Sequence, residues 1–267
     1  MLTRFHKMHG LGNDFIVFDA RDADIAMGPS RARALADRHT GVGCDQLIVL
    51  RPSPDADAEM RIYNRDGGEV EACGNAARCV AQLLGGAPTL STRGGRLAAG
   101  VDAAGVTVEL EPPKFAWDQI PLAQAMDTHA MPVGWDELER PAAVNVGNPH
   151  LVFFVADPDA VDLAKLGPRI EHDPLFPDRI NVNVAGVRDG GISLRVWERG
   201  AGLTRACGTG ACATAIAAVR AGLARSPVAV SLPGGDLVID WSPGQAIRMT
   251  GSATHVFTGE IDLEAFG

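Results

Sequence analysis

Two cysteines stand at the same place in two short copies of one motif, Ala72-Cys73-Gly74-Asn75 and Ala206-Cys207-Gly208-Thr209. Shifting the chain by 134 residues lays Met60 to Ala81 over Leu194 to Ala215 without a gap, and Arg61, Arg65, Gly68, Ala72, Cys73, Gly74, Ala77 and Ala81 then meet identical residues. A thiol supplied once by each half of a chain can serve opposite faces of one small molecule. One thiolate can remove a proton while the other thiol delivers one, and stereoinversion at a carbon needs that pair of groups.

The elements that must position these thiols can be read around them. Each cysteine precedes Gly at the start of an Ala-rich stretch, which predicts helices over about Asn75 to Leu84 and about Thr209 to Ala221. Gly85-Gly86 and Gly222 close them, and Asn75 and Thr209 are candidate N-caps. The first N–H groups of a helix and its dipole favour an anion and lower a thiol from its ordinary pKa of ~8.5. A Cys-Gly helix start can therefore both activate a thiol and hold a carboxylate. Cys44, Cys79 and Cys212 read as buried, inert thiols. No metal is expected. The spacings Cys73 to Cys79 and Cys207 to Cys212 are not those of zinc sites, and on a helix they point to different faces.

The repeat extends beyond the cysteines. A shift of 135 puts Gly12-Asn13-Asp14-Phe15 over Gly147-Asn148-Pro149-His150 and Gln46 over Asn181, so the offset changes by one residue between Gln46 and Met60. Three segments agreeing on nearly one offset indicate a duplicated domain. A length of 267 residues suits about two domains, and 46% hydrophobic residues suffice for two cores. A net charge of −9 with no Lys/Arg run argues against nucleic acid as a partner. No stretch is apolar enough to span a bilayer, and the start Met1-Leu2-Thr3-Arg4-Phe5-His6-Lys7 lacks a signal-peptide core. A reducing, cytoplasmic location is expected, with the five cysteines as thiols.

Short buried strands are predicted over 15–18, 47–50, 151–155, 181–184 and 237–240, and an alternating strand over 105–111. Ser30 to Arg38 reads as a helix capped by Ser30. Pro112-Pro113 and the Trp117 to Pro121 region read as the linker between halves. Strands outnumber helices, so each half is predicted to be α+β, a curved mixed sheet wrapped around one main helix.

These residues resemble the diaminopimelate epimerases, cofactor-independent two-cysteine amino-acid epimerases. The resemblance runs through Gly12-Asn13-Asp14-Phe15, Asp45-Gln46, Asn64, Ala72 to Cys79, Gly147-Asn148-Pro149-His150, Asn181, Glu198-Arg199-Gly200-Ala201-Gly202 and Ala206 to Cys212. Leu203, where the family often has Glu, and Cys44, where Ala is common, depart from the pattern. The resemblance implies two pseudo-symmetric domains with the active site in the cleft between them. They would be 1–117 with 253–267, carrying Cys73, and 118–252, carrying Cys207.

The implied substrate is the small molecule 2,6-diaminopimelate, on the route to lysine and peptidoglycan. Cys73 would accept the α-proton of the LL form and Cys207 donate to the opposite face. The N–H groups of Gly74, Asn75, Gly208 and Thr209 would hold the reacting carboxylate. By the same resemblance Asn64, Asn148, Asn181 and Arg199 hold the distal end with Glu198 close by, and Asn13 and Gln46 line the reacting end. His150 and Glu198 would support the cysteines, although a purely structural histidine is an equal reading of His150. No cofactor is expected, since pyridoxal phosphate needs a Schiff-base lysine and Lys7, Lys114 and Lys165 lie in no motif. No membrane partner is expected, and a homodimer is left open. The alternatives are a proline racemase-like enzyme, a phenazine-biosynthesis relative without thiol chemistry, a thiol redox enzyme using Cys73 and Cys207, and a non-catalytic amino-acid-binding protein.

Overall fold

In a computed structural model, which describes residues 2–71, 73–188 and 191–266, the repeat is visible as repeated strand pairing. Ala72 of the first motif lies outside the described residues. The chain forms two units, 1–108 with 251–267, and 109–250.

In the first unit β1 (Leu2–Gly10) pairs antiparallel with β2 (Asn13–Asp19). Helix α1 (Pro29–Ala36) makes the crossover to β3 (Gln46–Arg51), which lies parallel to β2 and antiparallel to β4 (Ala58–Asn64). β4 then pairs with β5 (Glu69–Val70). Helix α2 (Gly74–Leu84) leads to β6 (Thr89–Thr92), parallel to β4, and on to β7 (Gly95–Asp102) and β8 (Gly105–Leu110).

The second unit repeats this plan. After a small hairpin of β9 (Gly134–Trp135) and β10 (Leu138–Glu139), β11 (Ala142–Asn145) pairs with β12 (Pro149–Phe154). Helix α3 (Leu163–Glu171) crosses to β13 (Asn181–Arg188), parallel to β12. β14 (Gly191–Glu198) pairs with β13 and with β15 (Gly202–Thr204). Helix α4 (Gly208–Arg220) crosses to β16 (Val228–Leu232), parallel to β14, followed by β17 (Gly235–Asp240) and β18 (Ile247–Gly251). The last strand, β19 (Thr254–Asp262), returns to the first unit and pairs with β1.

The register carries the duplication. Phe15 faces Gln46, Leu47 faces Tyr63 and Ile62 faces Val70 in the first unit. His150 faces Asn181, Val182 faces Trp197 and Val196 faces Thr204 in the second. These are the pairs that offsets of 135 and 134 relate in the sequence. A slip of one residue would turn every side chain of a strand to its other face, so the shared register puts equivalent residues in equivalent places.

Each unit is a mixed sheet with one buried helix on it, which is the predicted α+β class. α2 packs on β1, β2, β7 and β19, and α4 on β11, β12, β13, β14, β16 and β17. Residues 75–81 of α2 and 210–218 of α4 are buried, and Ala predominates in both stretches. Small side chains let a helix backbone lie close to strands without loss of helix propensity. No helix among the described residues is long and apolar enough to cross a membrane.

Three sequence expectations shift. α1 starts at Pro29 with Gly28, not Ser30, as N-cap, because Pro at the first helical position is already set to a helical φ. Cys73 and Cys207, not Asn75 and Thr209, are the N-caps of α2 and α4. The segment 109–117, expected with the first half, belongs to the second unit. There the backbone of Lys114 bonds Asn145 in both directions and Phe115 packs edge-on against Trp241.

Gly167 shows how tightly α3 is fitted. A Cβ at this position would meet the Trp197 ring at 2.4 Å. Gly167→Ala should therefore destabilise the protein by roughly 1–3 kcal/mol through overpacking, even though Ala is ~1 kcal/mol the better helix former. Equilibrium urea unfolding checks this, and an increase in stability would show that Trp197 does not fix the helix position.

Candidate active site

The two cysteines occupy the same local structure. Cys73 precedes α2 and Cys207 precedes α4, both in extended conformation (φ −149°, ψ 115° and φ −123°, ψ 104°). An extended residue before the first helical turn points its side chain toward the N–H groups that the turn presents at its end. Those groups come from Gly74 and Asn75 in α2 and from Gly208 and Thr209 in α4. In α4 the thiol itself acts as the cap, its Sγ accepting from the N–H of Gly210 at 3.4 Å, with Thr209 Oγ1 at 3.6 Å. All five cysteines are thiols.

In the first unit the loop and helix start are held by amides. Asn75 donates from Nδ2 to Asn13 Oδ1 at 3.2 Å, and Asn13 in turn donates to Asp45 Oδ2 at 3.1 Å. Arg78, fully buried, donates to Asn75 Oδ1 at 2.8 Å and so fixes which way the amide faces. Asp45 and Asp14 share Arg38, and Lys7 bonds Asp14; burial would raise the Asp14 carboxyl, but Arg38 and Lys7 outweigh it and hold the carboxyl down at about 2. Gln46 and Asn64 face each other across β3 and β4, and Gln46 Nε2 donates to Asn64 Oδ1 at 2.9 Å. The other amide atom, Gln46 Oε1, is buried with no hydrogen-bond partner. A buried acceptor left unpaired costs about 1–3 kcal/mol, and a ligand donor would remove that cost.

In the second unit Glu198 stands beside Cys207. Thr204 donates its hydroxyl to Glu198 Oε1, and the thiol of Cys207 interacts with the same carboxyl. Burial pushes the Glu198 carboxyl up from its ordinary value. Burial, and then the Glu198 charge, push the Cys207 thiol well above its own. The consequence is a protonated thiol at Cys207. Cys44 and Cys79, pushed up to about 12 by burial, are inert thiols as expected, and Cys212 is fully buried in α4.

His150 is fully buried between two amides. Its Nε2 lies 3.0 Å from Asn148 Oδ1, an acceptor, so Nε2 carries the proton. Its Nδ1 then accepts from Asn183 Nδ2 at 3.2 Å. Burial drives the ring down to about 3, so it is neutral and both nitrogens are engaged. Asn181 donates to Pro149 O at 2.8 Å and accepts from the N–H of Arg199 at 2.9 Å. Arg199 is exposed, and its guanidinium donates to Asp178 O at 2.9 Å.

Two residues outside the sequence reading prove important. Asn183 joins His150 to the Gly210 carbonyl of α4 at 3.4 Å. The alternation Asn181-Val182-Asn183-Val184 places it on the face of Asn181 and could have found it. Glu171, buried at the end of α3, accepts from Trp197 Nε1 at 2.7 Å and from the N–H of Gly200 at 2.9 Å. It thereby ties down both ends of the Glu198-Arg199 segment. Nothing in the local sequence signals it. Among the described residues no group of three or more His, Cys, Asp or Glu side chains is close enough to hold a metal.

The comparisons with known proteins agree with one another. The family model for diaminopimelate epimerase matches residues 5–116 and 142–256. The diaminopimelate epimerase of Rhizorhabdus wittichii is 68% identical over 100% of this chain and 98% of its own. That of Sphingopyxis alaskensis is 64% identical over 100% of both chains. Among solved structures, a PhzF-family phenazine biosynthesis protein from Bacillus anthracis superposes with a TM-score of 0.70 at 14% identity, covering 98% of this chain and 99% of its own. A hydroxyproline epimerase from Agrobacterium vitis with bound trans-4-OH-L-proline gives 0.67 at 14% identity, covering 97% and 92%. At such identities the solved structures establish a shared fold. The family match and the full-length relatives establish more: this chain belongs to the diaminopimelate epimerase family.

Proposed function

We propose that the protein interconverts LL- and meso-2,6-diaminopimelate by proton transfer at the α-carbon, as an isomerase of amino-acid biosynthesis. The observation that carries the reading is the twinned helix start, Cys73-Gly74 and Cys207-Gly208, within a chain of this family. In the LL-to-meso direction Cys73, as thiolate, takes the α-proton and becomes a thiol. Cys207 delivers its proton to the opposite face and becomes the thiolate. The elevated thiol of Cys207 supports its role as donor, and the Glu198 carboxyl beside it is suited to restoring that proton. Free thiols as proton carriers suit a reducing cytoplasm.

The carbanion needs stabilisation. The N–H groups of Gly74, Asn75, Gly208 and Thr209 serve the reacting carboxylate, where helix dipoles act on developing charge. Gln46 Oε1, the unpaired buried acceptor, suits the ammonium group beside that carbon. Arg199 offers a planar fork for the distal carboxylate, with Asn64, Asn148 and Asn181 as amide partners. His150 acts as a positioning residue, since its engaged nitrogens hold Asn148 and Asn183.

Incubation with LL-diaminopimelate in deuterated water under reducing conditions should give meso product carrying α-deuterium. Absence of both epimerisation and exchange would end this reading, whereas turnover of proline would favour the racemase alternative. Cys73→Ala and Cys207→Ala should each abolish epimerisation with the fold intact, while Cys44→Ala, Cys79→Ala and Cys212→Ala keep it. Near-normal turnover in either of the first pair would exclude a two-thiol mechanism.

Arg199→Met should depress kcat/KM for diaminopimelate at least about tenfold, since loss of a desolvated charge contact costs about 2–5 kcal/mol and Arg199 is exposed without substrate. The variant should still undergo stoichiometric alkylation at Cys73, since Arg199 takes no part in holding that thiol. Unaltered kinetics would remove Arg199 from the distal site.

His150 predicts an acid limit to stability. Its folded value of about 3 lies below the ordinary 6.5, so the unfolded chain takes up the proton first as pH falls. Stability is full above about pH 6.5 and declines through the interval down to about 3, by up to several kcal/mol at ~1.4 kcal/mol per unit. Between pH 7 and 4 the decline in unfolding free energy should be shallower for His150→Gln than for wild type. Parallel slopes would mean the ring is not held neutral.

A further inference from the structure

Strands β1 and β19 join the two ends of the chain, and their pairing contains an irregularity. Lys7 faces Phe257, but Met8 faces His255, so Val256 is an extra residue on β19. Side chains alternate along a strand, and residues 255 and 258 would ordinarily point to opposite faces. One extra residue between them inverts the alternation and re-aims the side chains that follow. His255 is thereby brought to the face of Thr258, and Thr258 pairs directly with His6.

Three donor atoms meet there. His6 Nδ1 and His255 Nε2 are 3.1 Å apart, and Thr258 Oγ1 lies 3.3 Å from the first and 3.2 Å from the second. They form a nearly equilateral triangle. A cation ~2.1 Å from each donor, the ordinary Zn–N and Zn–O distance, would sit about 1 Å out of their plane. Donor separations of 3.1–3.3 Å are those of one face of a coordination polyhedron around such an ion.

We propose that His6, His255 and Thr258 form a binding site for a borderline divalent cation such as Zn2+, clipping the last strand of the chain to the first. Imidazole is the ligand such ions prefer, and solvent completes the coordination, since His255 and Thr258 are exposed. His6 is already biased to the neutral, ligating form. Burial, then His255 and Arg4, lower its pKa, and Asp19 partly offsets them. The site lies on β1 and β19, includes none of the residues assigned to the epimerase site, and is independent of the epimerase reading. Its consequence is stability: an ion bound only by the folded pair of strands adds RT ln(1 + [L]/Kd) to folding.

The test is Zn2+ titration of the full chain by calorimetry, with thermal unfolding at the same concentrations. One ion should bind per chain and raise Tm, and Mg2+ and Ca2+ should do neither. His6→Ala and the milder His255→Gln should each weaken binding by more than the ~10-fold that loss of an outer-shell partner costs, with melting in metal-free buffer changed little. Thiols also take Zn2+, so the Cys73→Ala/Cys207→Ala double variant should retain the site. Co2+ bound to that variant should show weak ligand-field bands without thiolate charge transfer. His9→Gln, a histidine of β1 outside the triangle, should bind like wild type. No binding, binding that survives both His6→Ala and His255→Gln, or binding lost with the two cysteines would overturn the proposal.

Discussion

Each unit depends on burying one Ala-rich helix flat against its sheet while the first N–H groups of that helix have no partner within it. The two requirements pull in different directions. The body of α4 is buried on six strands and must be small, which Ala and Gly satisfy. Its first turn carries N–H groups that need acceptors. The chain places a cysteine at each N-cap, a residue small enough for the packing, and in α4 the thiol accepts from the turn. The same choice puts a thiol where a carboxylate is favoured.

Around this arrangement the neighbouring amides are made stiff rather than numerous. Buried polar groups are useful only when their partners fix them, because an unfixed amide has two orientations. Arg78 fixes Asn75, the protonated Nε2 of His150 fixes Asn148, and the Arg199 N–H fixes Asn181. Glu171 holds the backbone on either side of Glu198 and Arg199. Gln46 is the contrast, with one amide atom paired and the other left over.

The two units use the same frame for different electrostatics. The position of Asn64 on β4 is taken by Glu198 on β14 under the repeat offset. That single change sets a carboxyl beside Cys207, where burial first and then the Glu198 charge raise the thiol.

Much of this was legible in the sequence. The duplication, both helices, the strands around Phe15, Gln46, Leu151 and Asn181, and the pairing of Cys73 with Cys207 as equivalents follow from local pattern, because period, composition and glycine placement act over a few residues. The family resemblance added the roles assigned to Arg199 and Asn148. Tertiary structure alone decided the rest. That 109–117 packs with the second unit, that Glu171 reaches Gly200 and that His150 is neutral between Asn148 and Asn183 all depend on contacts between residues far apart in the chain. So does the meeting of His6 with His255, which a one-residue bulge brings to one face. Burial and hydrogen-bond direction are properties of such contacts, and no window of sequence contains both partners.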